Sequence, residues 1–307
     1  MKPASTSIVA EDGGRPAARV AVRTLRTRLD AVWRELPAAG ERPARDPESV
    51  HRLRVATRRA IAAIDAFSDM LPDKHAAWFT KRLRRIRRSA GEARDLDVLT
   101  DRLTEQRPAV AGSRARRRLV SMLSKQREVS RQPIRAEHER LLEADWLDRV
   151  ERLLAGVSTG RGRPTFREYA QRRFRPLMRH FFSAADRKLR GAGEIHALRI
   201  EGKKLRYALE IFAAAFPARV RARCADSLER LQKTLGEFTD HAAAADRFRR
   251  LAHDKSAAAN RDVLERLRAE EDRRAEEARK AFAKWWDAGR RRTLRRRFEQ
   301  TLRKASA

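Results

Sequence analysis

His51, Arg54, Arg58 and Arg59 recur, 145 residues later, as His196, Arg199, Lys203 and Lys204. Positions three, four and seven apart share one face of a helix. Each copy therefore aligns an imidazole and two cations, with a third cation to one side. Cations so arranged rise by about 5–6 Å per turn, a spacing that can follow successive charges on a flexible phosphate chain. Guanidinium forks suit phosphate oxygens better than ammonium groups do, and only 12 of the 73 cations are lysine. A base-composition bias would produce the same preference for arginine, so the count alone does not select a ligand.

The repetition extends well beyond these residues. VHRLRVATRRAIAAIDAFSDMLP at 50–72 aligns without a gap on IHALRIEGKKLRYALEIFAAAFP at 195–217. The same offset carries GEARD at 91–95 onto GEFTD at 236–240, and pairs Leu29, Val32 and Leu36 with Phe174, Leu177 and Phe181. A constant register over so long a stretch marks a tandem duplication. A histidine in a helix cap or core would also recur after duplication, and a basic stripe opposite an apolar one suits any arginine-rich surface helix.

Lys+Arg outnumber Asp+Glu by 73 to 42, a net charge of +31, which points to a polyanion or an anionic surface. Few breakers (13 Gly, 11 Pro) and abundant Ala, Leu, Arg and Glu predict an almost wholly helical chain. The single cysteine, Cys224, excludes an internal disulfide and a cysteine metal cage and fits a reducing compartment. With no signal-like or membrane-spanning stretch, the expectation is a cytoplasmic protein.

The predicted organisation is all-α, a tandem duplication of two four-helix-bundle-like halves. Residues 1–15 read as a disordered tail, 16–155 as the first half, 156–165 as a Gly/Ser/Pro linker, 166–289 as the second half and 290–307 as a basic tail. Within the first half the pattern predicts a helix from Pro16 to Leu36, a loop to Ser49, and the motif helix ending at Pro72. Further helices follow at 74–90 and 93–106, separated at Gly91, then a loop at 107–113 and helices at 114–130 and 134–155. The second half predicts helices near 165–189, 194–216, 218–236, 239–254 and 258–288. Lys81, Arg84, Arg85 and Arg88 form one stripe of the helix after the first motif, and Tyr207 shares the cationic face of the second.

The H-x-x-R-V/I-x-x-R/K-R/K signature in both halves, with GEARDLDV at 91–98 and GEFTD at 236–240, resembles the CHAD family, the conserved histidine α-helical domain. The resemblance spans roughly residues 16–290. It implies two four-helix bundles related by a pseudo-twofold axis, and binding of inorganic polyphosphate in a basic groove or pore, often at polyphosphate granules. The implied ligands are His51, Arg54, Arg58, Arg59 and Arg88 in the first half, and His196, Arg199, Lys203, Lys204, Arg206 and Lys233 in the second. Asp95 and Asp240 match the family's acidic position and read as structural, orienting a nearby arginine. The copies differ where Arg94 faces Thr239, and where Lys81 and Arg84 face Asp226 and Glu229. Arg206 and Tyr207 replace Ile61 and Ala62. The halves are therefore expected to grip the ligand unequally.

Three other readings compete. Nonspecific nucleic-acid binding suits the charge, though only 6% of residues are aromatic and no base-reading module is visible. An enzyme is not expected: there is no G-x-x-x-x-G-K-S/T, no H-E-x-x-H and no E-x-E-x-K, and His253-Asp254 has no further metal ligands nearby. Neither a cofactor nor a metal is called for. Finally, Trp285-Trp286 either anchors a partner or caps its own helix core.

Overall fold

The computed structural model describes residues 13–41, 46, 48–105, 114–158, 164–187, 189 and 191–303. Eleven α-helices and no strand are found among them. They are α1 (Ala17–Gly40), α2 (Ser49–Ala66), α3 (Asp73–Glu105), α4 (Arg114–Val129), α5 (Gln132–Glu143), α6 (Trp146–Ala155), α7 (Phe166–Ala185), α8 (Ala192–Ile211), α9 (Ala218–His253), α10 (Arg261–Trp285) and α11 (Ala288–Arg303). Short 3₁₀ turns, Ser68–Met70 and Ala213–Ala215, follow the two motif helices at the repeat offset, ahead of Pro72 and Pro217. The halves correspond through α1/α7, α2/α8 and α3/α9 and then diverge, three short helices closing the first and two longer ones the second.

One apolar core runs through both halves. Leu25, Leu29, Val32 and Leu36 of α1 and Leu53, Ala60 and Ile64 of α2 are buried in it with Phe174 and Phe181 of α7 and Leu198, Leu205 and Phe212 of α8. At its centre two equivalent residues meet: the rings of Phe67 and Phe212 are 6.0 Å apart, edge to face, with Tyr169 stacked on Phe67. The Tyr169 hydroxyl donates to the Ala66 carbonyl at 2.9 Å. At the outer end, Ala17 N donates to Pro164 O and Phe166 N to Arg15 O, so α1 and α7 start side by side. Thr165 and Glu168 close a capping box at the start of α7.

Several boundaries differ from expectation. α1 runs through Pro37 to Gly40, because Arg131, fully buried, donates to the Ala39 carbonyl at 3.0 Å and ties down the end of the last turn. α3 and α9 continue through Gly91 and Gly236, where breaks were expected at Gly91 and between 236 and 239. A mid-helix glycine costs only about 1 kcal/mol, less than burial of Ala90 and Ala93, or Leu235 and Phe238, supplies on either side. The single helix expected at 134–155 is two, α5 and α6, turning at Asp145 in the left-handed region (φ 53°). The loop predicted at 107–113 and part of the 156–165 linker lie outside the described residues. The basic tail, read as helical over 290–304, is helical as α11 and packs by Leu294, Phe298 and Leu302 onto α7 and α9, with Phe298 stacked on Phe174.

Beyond the main core, α3 and α9 carry a second, smaller one. It contains Leu96, Leu99 and Leu103 of α3 and Ala244, Phe248 and Leu251 of α9, with Leu119 and Leu123 of α4 and Leu264 of α10. The main core's last residues on the long helices are Ala93 and Phe238, equivalent positions of the repeat. The change of core therefore falls in the GEARD and GEFTD segments. A polar layer occupies the gap.

Candidate functional site

α2 buries Leu53, Thr57, Ala60 and Ile64 and leaves His51, Arg54 and Arg58 half-buried on the other side. α8 does the same with Arg199, Lys203 and Arg206. Because α2 packs directly on α8, the cationic faces converge, and Arg58 comes within electrostatic reach of its own equivalent, Lys203.

The electrostatics record the crowding. Burial, then repulsion from Arg199 and Arg58, pushes the Lys203 ammonium down to about 8 against the pull of Asp240. Burial lowers Arg54 too, and Arg58, Arg87 and Arg94 add to it while Asp95 opposes. His51 is lowered by burial, then by Arg94, Arg58 and Arg54, with Glu48 opposing. The neutral imidazole is thus its ordinary state near pH 7 in the free protein.

Several of these cations have no direct ion-pair partner. Among the described residues, the side chains of Arg58, Arg94 and Lys203 have no ion pair or hydrogen-bond partner, and Arg206 lies over the Tyr207 ring at 4.9 Å. The Nε atoms of Arg58, Arg199 and Arg206, and one Nη of Arg94, are buried without an acceptor. Buried donors normally find partners, so this patch has several N–H groups available to acceptor oxygens.

Two members are anchored in matching ways. Arg54 donates to the Arg87 carbonyl of α3 at 3.0 Å and feels Asp95, while Arg199 pairs with Asp240 of α9 at 3.5 Å. In the second half the sense of the backbone contact is reversed: Gln232, equivalent to Arg87, donates to the Arg199 carbonyl at 3.2 Å.

Other predicted residues sit elsewhere or are engaged. Glu210 of α8 is held by Arg28 of α1 at 2.8 Å and Arg59 of α2 at 3.1 Å. The equivalent residues are arranged differently: Arg173 of α7 donates to the Asp65 backbone carbonyl at 2.6 Å. Asp65 of α2 feels Arg173 of α7 and Lys204 of α8, together with Arg84, while burial raises its pKa. Lys204 also pairs with Glu201 at 2.6 Å. Glu210 thus clasps α8 to α1 and α2 of the other half. Arg85 is bound to the fully buried Glu137 at 2.6 Å. Lys81, Arg84 and Arg88 line a separate cleft of about 580 Å³ with Asp65 and Asp73. His196 and Lys233 are exposed, and Tyr207 is buried. Arg94 stands close to His51 and Arg54 and was not among the expected ligands; its difference from Thr239 was the available signal.

A family model, the CHAD domain, matches residues 23–249. The fold is similar to that of the CHAD domain from the plant Ricinus communis, with 20% identity over 90% of this chain and 94% of that one, and a TM-score of 0.67. It is also similar to PptA from Streptomyces chartreusis, with 17% identity over 88% of this chain and 99% of that one, and a TM-score of 0.55. No curated protein matches. No helix among the described residues is long and apolar enough to cross a membrane.

Proposed function

The chain belongs to the CHAD family, and on that premise we propose that it binds inorganic polyphosphate in the cluster around Arg58 and Lys203, without making or cutting the polymer. One observation carries the reading: uncompensated cations from two halves of one chain converge on a single patch. An isolated buried charge is costly, and here like-charge repulsion adds to that cost. A flexible polyanion removes both penalties, since each internal phosphate brings about one charge and several acceptor oxygens. Its condensed counterions are released as the protein's cations replace them, which favours binding in low salt.

In this scheme Arg58, Lys203, Arg94 and Arg206 hold phosphate oxygens directly. Arg54 and Arg199, fixed by α3 and α9, form the walls. His51 donates one hydrogen bond as a neutral ring and a stronger one when protonated. No base-stacking surface is needed, and the protein is expected to reside with cytoplasmic polyphosphate granules. A fluorescent fusion that stays diffuse in cells containing granules would contradict that placement.

The deciding experiment is binding of purified protein to long-chain polyphosphate, titrated with salt and competed with DNA of matched charge. The comparison is a variant with Arg54, Arg58, Arg199 and Lys203 changed to Ala. Tight binding that survives DNA and collapses in the variant supports the proposal. Equal competition by DNA with the variant unaffected identifies a general polyanion surface instead.

A further inference from the structure

At the α10–α11 junction, remote in sequence from the motif helices, a pocket of about 510 Å³ opens against α9. Its polar wall has three guanidiniums, Arg230 from α9 and Arg290 and Arg297 from α11. Arg290 and Arg230 lie over the Trp285 ring at 4.6 and 5.5 Å, and Trp285 stacks on Trp286 with centroids 5.6 Å apart. Arg297 donates to Ser227 Oγ at 2.8 Å. The aromatic pair therefore does more than cap a helix, because it sets two arginines in place by cation–π contact.

Two features resist a purely structural account. First, Trp285 Nε1, Trp286 Nε1 and Arg290 Nε are buried and have no acceptor among the described residues, although Trp286 is only 4% exposed. Three orphan donors around one pocket call for an acceptor-rich occupant. Second, this chain pairs its surface arginines where acids are at hand: on α10, Arg268, Arg273 and Arg279 each bind a glutamate on their own helix. Beside Arg230 and Arg290 the one acid lining the wall is Asp287, whose Oδ1 accepts from Arg290 N at 2.7 Å. The α10 and α11 residues also lie beyond the family match, which ends at 249.

We propose that this pocket is a second binding site, for a compact phosphate dianion: free orthophosphate or the terminal group of a phosphate chain. A terminal phosphate carries up to about two charges near neutral pH, against one for an internal unit, and exposes three oxygens to the converging guanidiniums. Those forks can bind two oxygens at once, while Ser227 and Thr293 supply hydroxyls from the same wall. The site is independent of the Arg58–Lys203 cluster.

The test follows the indole N–H signals of ¹⁵N-labelled full-length protein, assigned through Trp285→Phe. Orthophosphate, tripolyphosphate, tripolyphosphate esterified at both ends, and chloride at matched ionic strength are titrated in turn. A saturable shift of the Trp285 and Trp286 signals with orthophosphate supports the free ion. A shift with tripolyphosphate that the capped form fails to give supports the chain end. In either case Arg230→Gln, at an exposed position, raises Kd at least tenfold, and Arg58→Ala with Lys203→Ala leaves it unchanged. The proposal is overturned if chloride reproduces the shifts or Arg230→Gln binds as the parent does. Because the readout is local to the indoles, it stands or falls separately from binding at the central cluster.

Discussion

Arg58 and Lys203 occupy equivalent positions of the repeat, and the Arg58 charge depresses the Lys203 pKa where α2 packs on α8. Two like charges brought together by the fold repel, and an anion between them would relieve that repulsion. Arg58→Ala and Lys203→Ala should each weaken polyphosphate binding roughly tenfold or more, at about 1.5–3 kcal/mol for a charge-assisted hydrogen bond. Each should also lower the slope of log K against log salt by about 0.7. An unchanged slope in a salt titration would remove these residues from the interface.

Lys203 should make binding proton-linked. In the free protein its pKa is near 8, and a bound polyanion raises it, so binding takes up protons. Affinity should therefore increase as pH falls from about 9 to 7, with His51 extending the increase below its ordinary range. Calorimetry in two buffers of different ionisation heat measures the uptake directly. Lys203→Gln should flatten the upper part of the profile, and a wild-type profile from that variant would refute the assignment.

The same depression has the opposite sign for stability. Unfolded, Lys203 keeps its proton up to its ordinary value of 10.5, whereas folded it releases it near 8. Between those values the unfolded chain binds the extra proton, so the ligand-free fold gains stability as pH rises through that window. Lys203→Met should accordingly raise the Tm of free protein at pH 7 while weakening the ligand. A lower Tm would mean its aliphatic packing outweighs its charge.

Glu210 offers a test in which stability and affinity move apart. Glu210→Gln loses the pairing with Arg28 and Arg59, for a cost of about 1 kcal/mol at this partly exposed site. It also releases two arginines beside the ligand. Lower Tm with tighter polyphosphate binding is the expected outcome, and weaker binding would show that the clasp positions the α2–α8 contact itself.

Two glycines should respond differently. A Cβ at Gly91 would meet nothing nearer than Arg54 Nη1 at 3.9 Å, so Gly91→Ala should stabilise α3 by up to about 1 kcal/mol. At Gly202 it would lie 2.5 Å from Gln232 Nε2, which holds the Arg199 carbonyl. Gly202→Ala should therefore displace the Gln232 amide and loosen Arg199, cancelling the helix gain, so that thermal melts show stabilisation for Gly91→Ala alone.

Much of this was legible in the chain. The offset marked the equivalent helices, and the wheel placed Leu53, Ile64, Leu198 and Leu209 inward and Arg54, Arg58, Arg199 and Lys203 outward. Partnership was not legible. Arg59 and Arg58 are adjacent and chemically alike, yet one is held by Glu210 and the other has no partner among the described residues. That difference depends on which face of α8 lies opposite, a property of packing. Gly91 and Gly236 read as breaks because local propensity speaks for one turn, whereas α3 and α9 are held on both sides by tertiary contacts. The Trp285–Arg230 contact joins residues 55 apart and had no local signature.

The two long helices, about 50 Å from end to end, are gripped by apolar packing at each extremity and by charge in between. Between those two clamps lies the layer bearing Arg94, Asp95 and Asp240, where charge takes the place of apolar packing. An anion seated in that layer would act as a brace, so the mechanical stiffness of the molecule would itself report whether it is loaded.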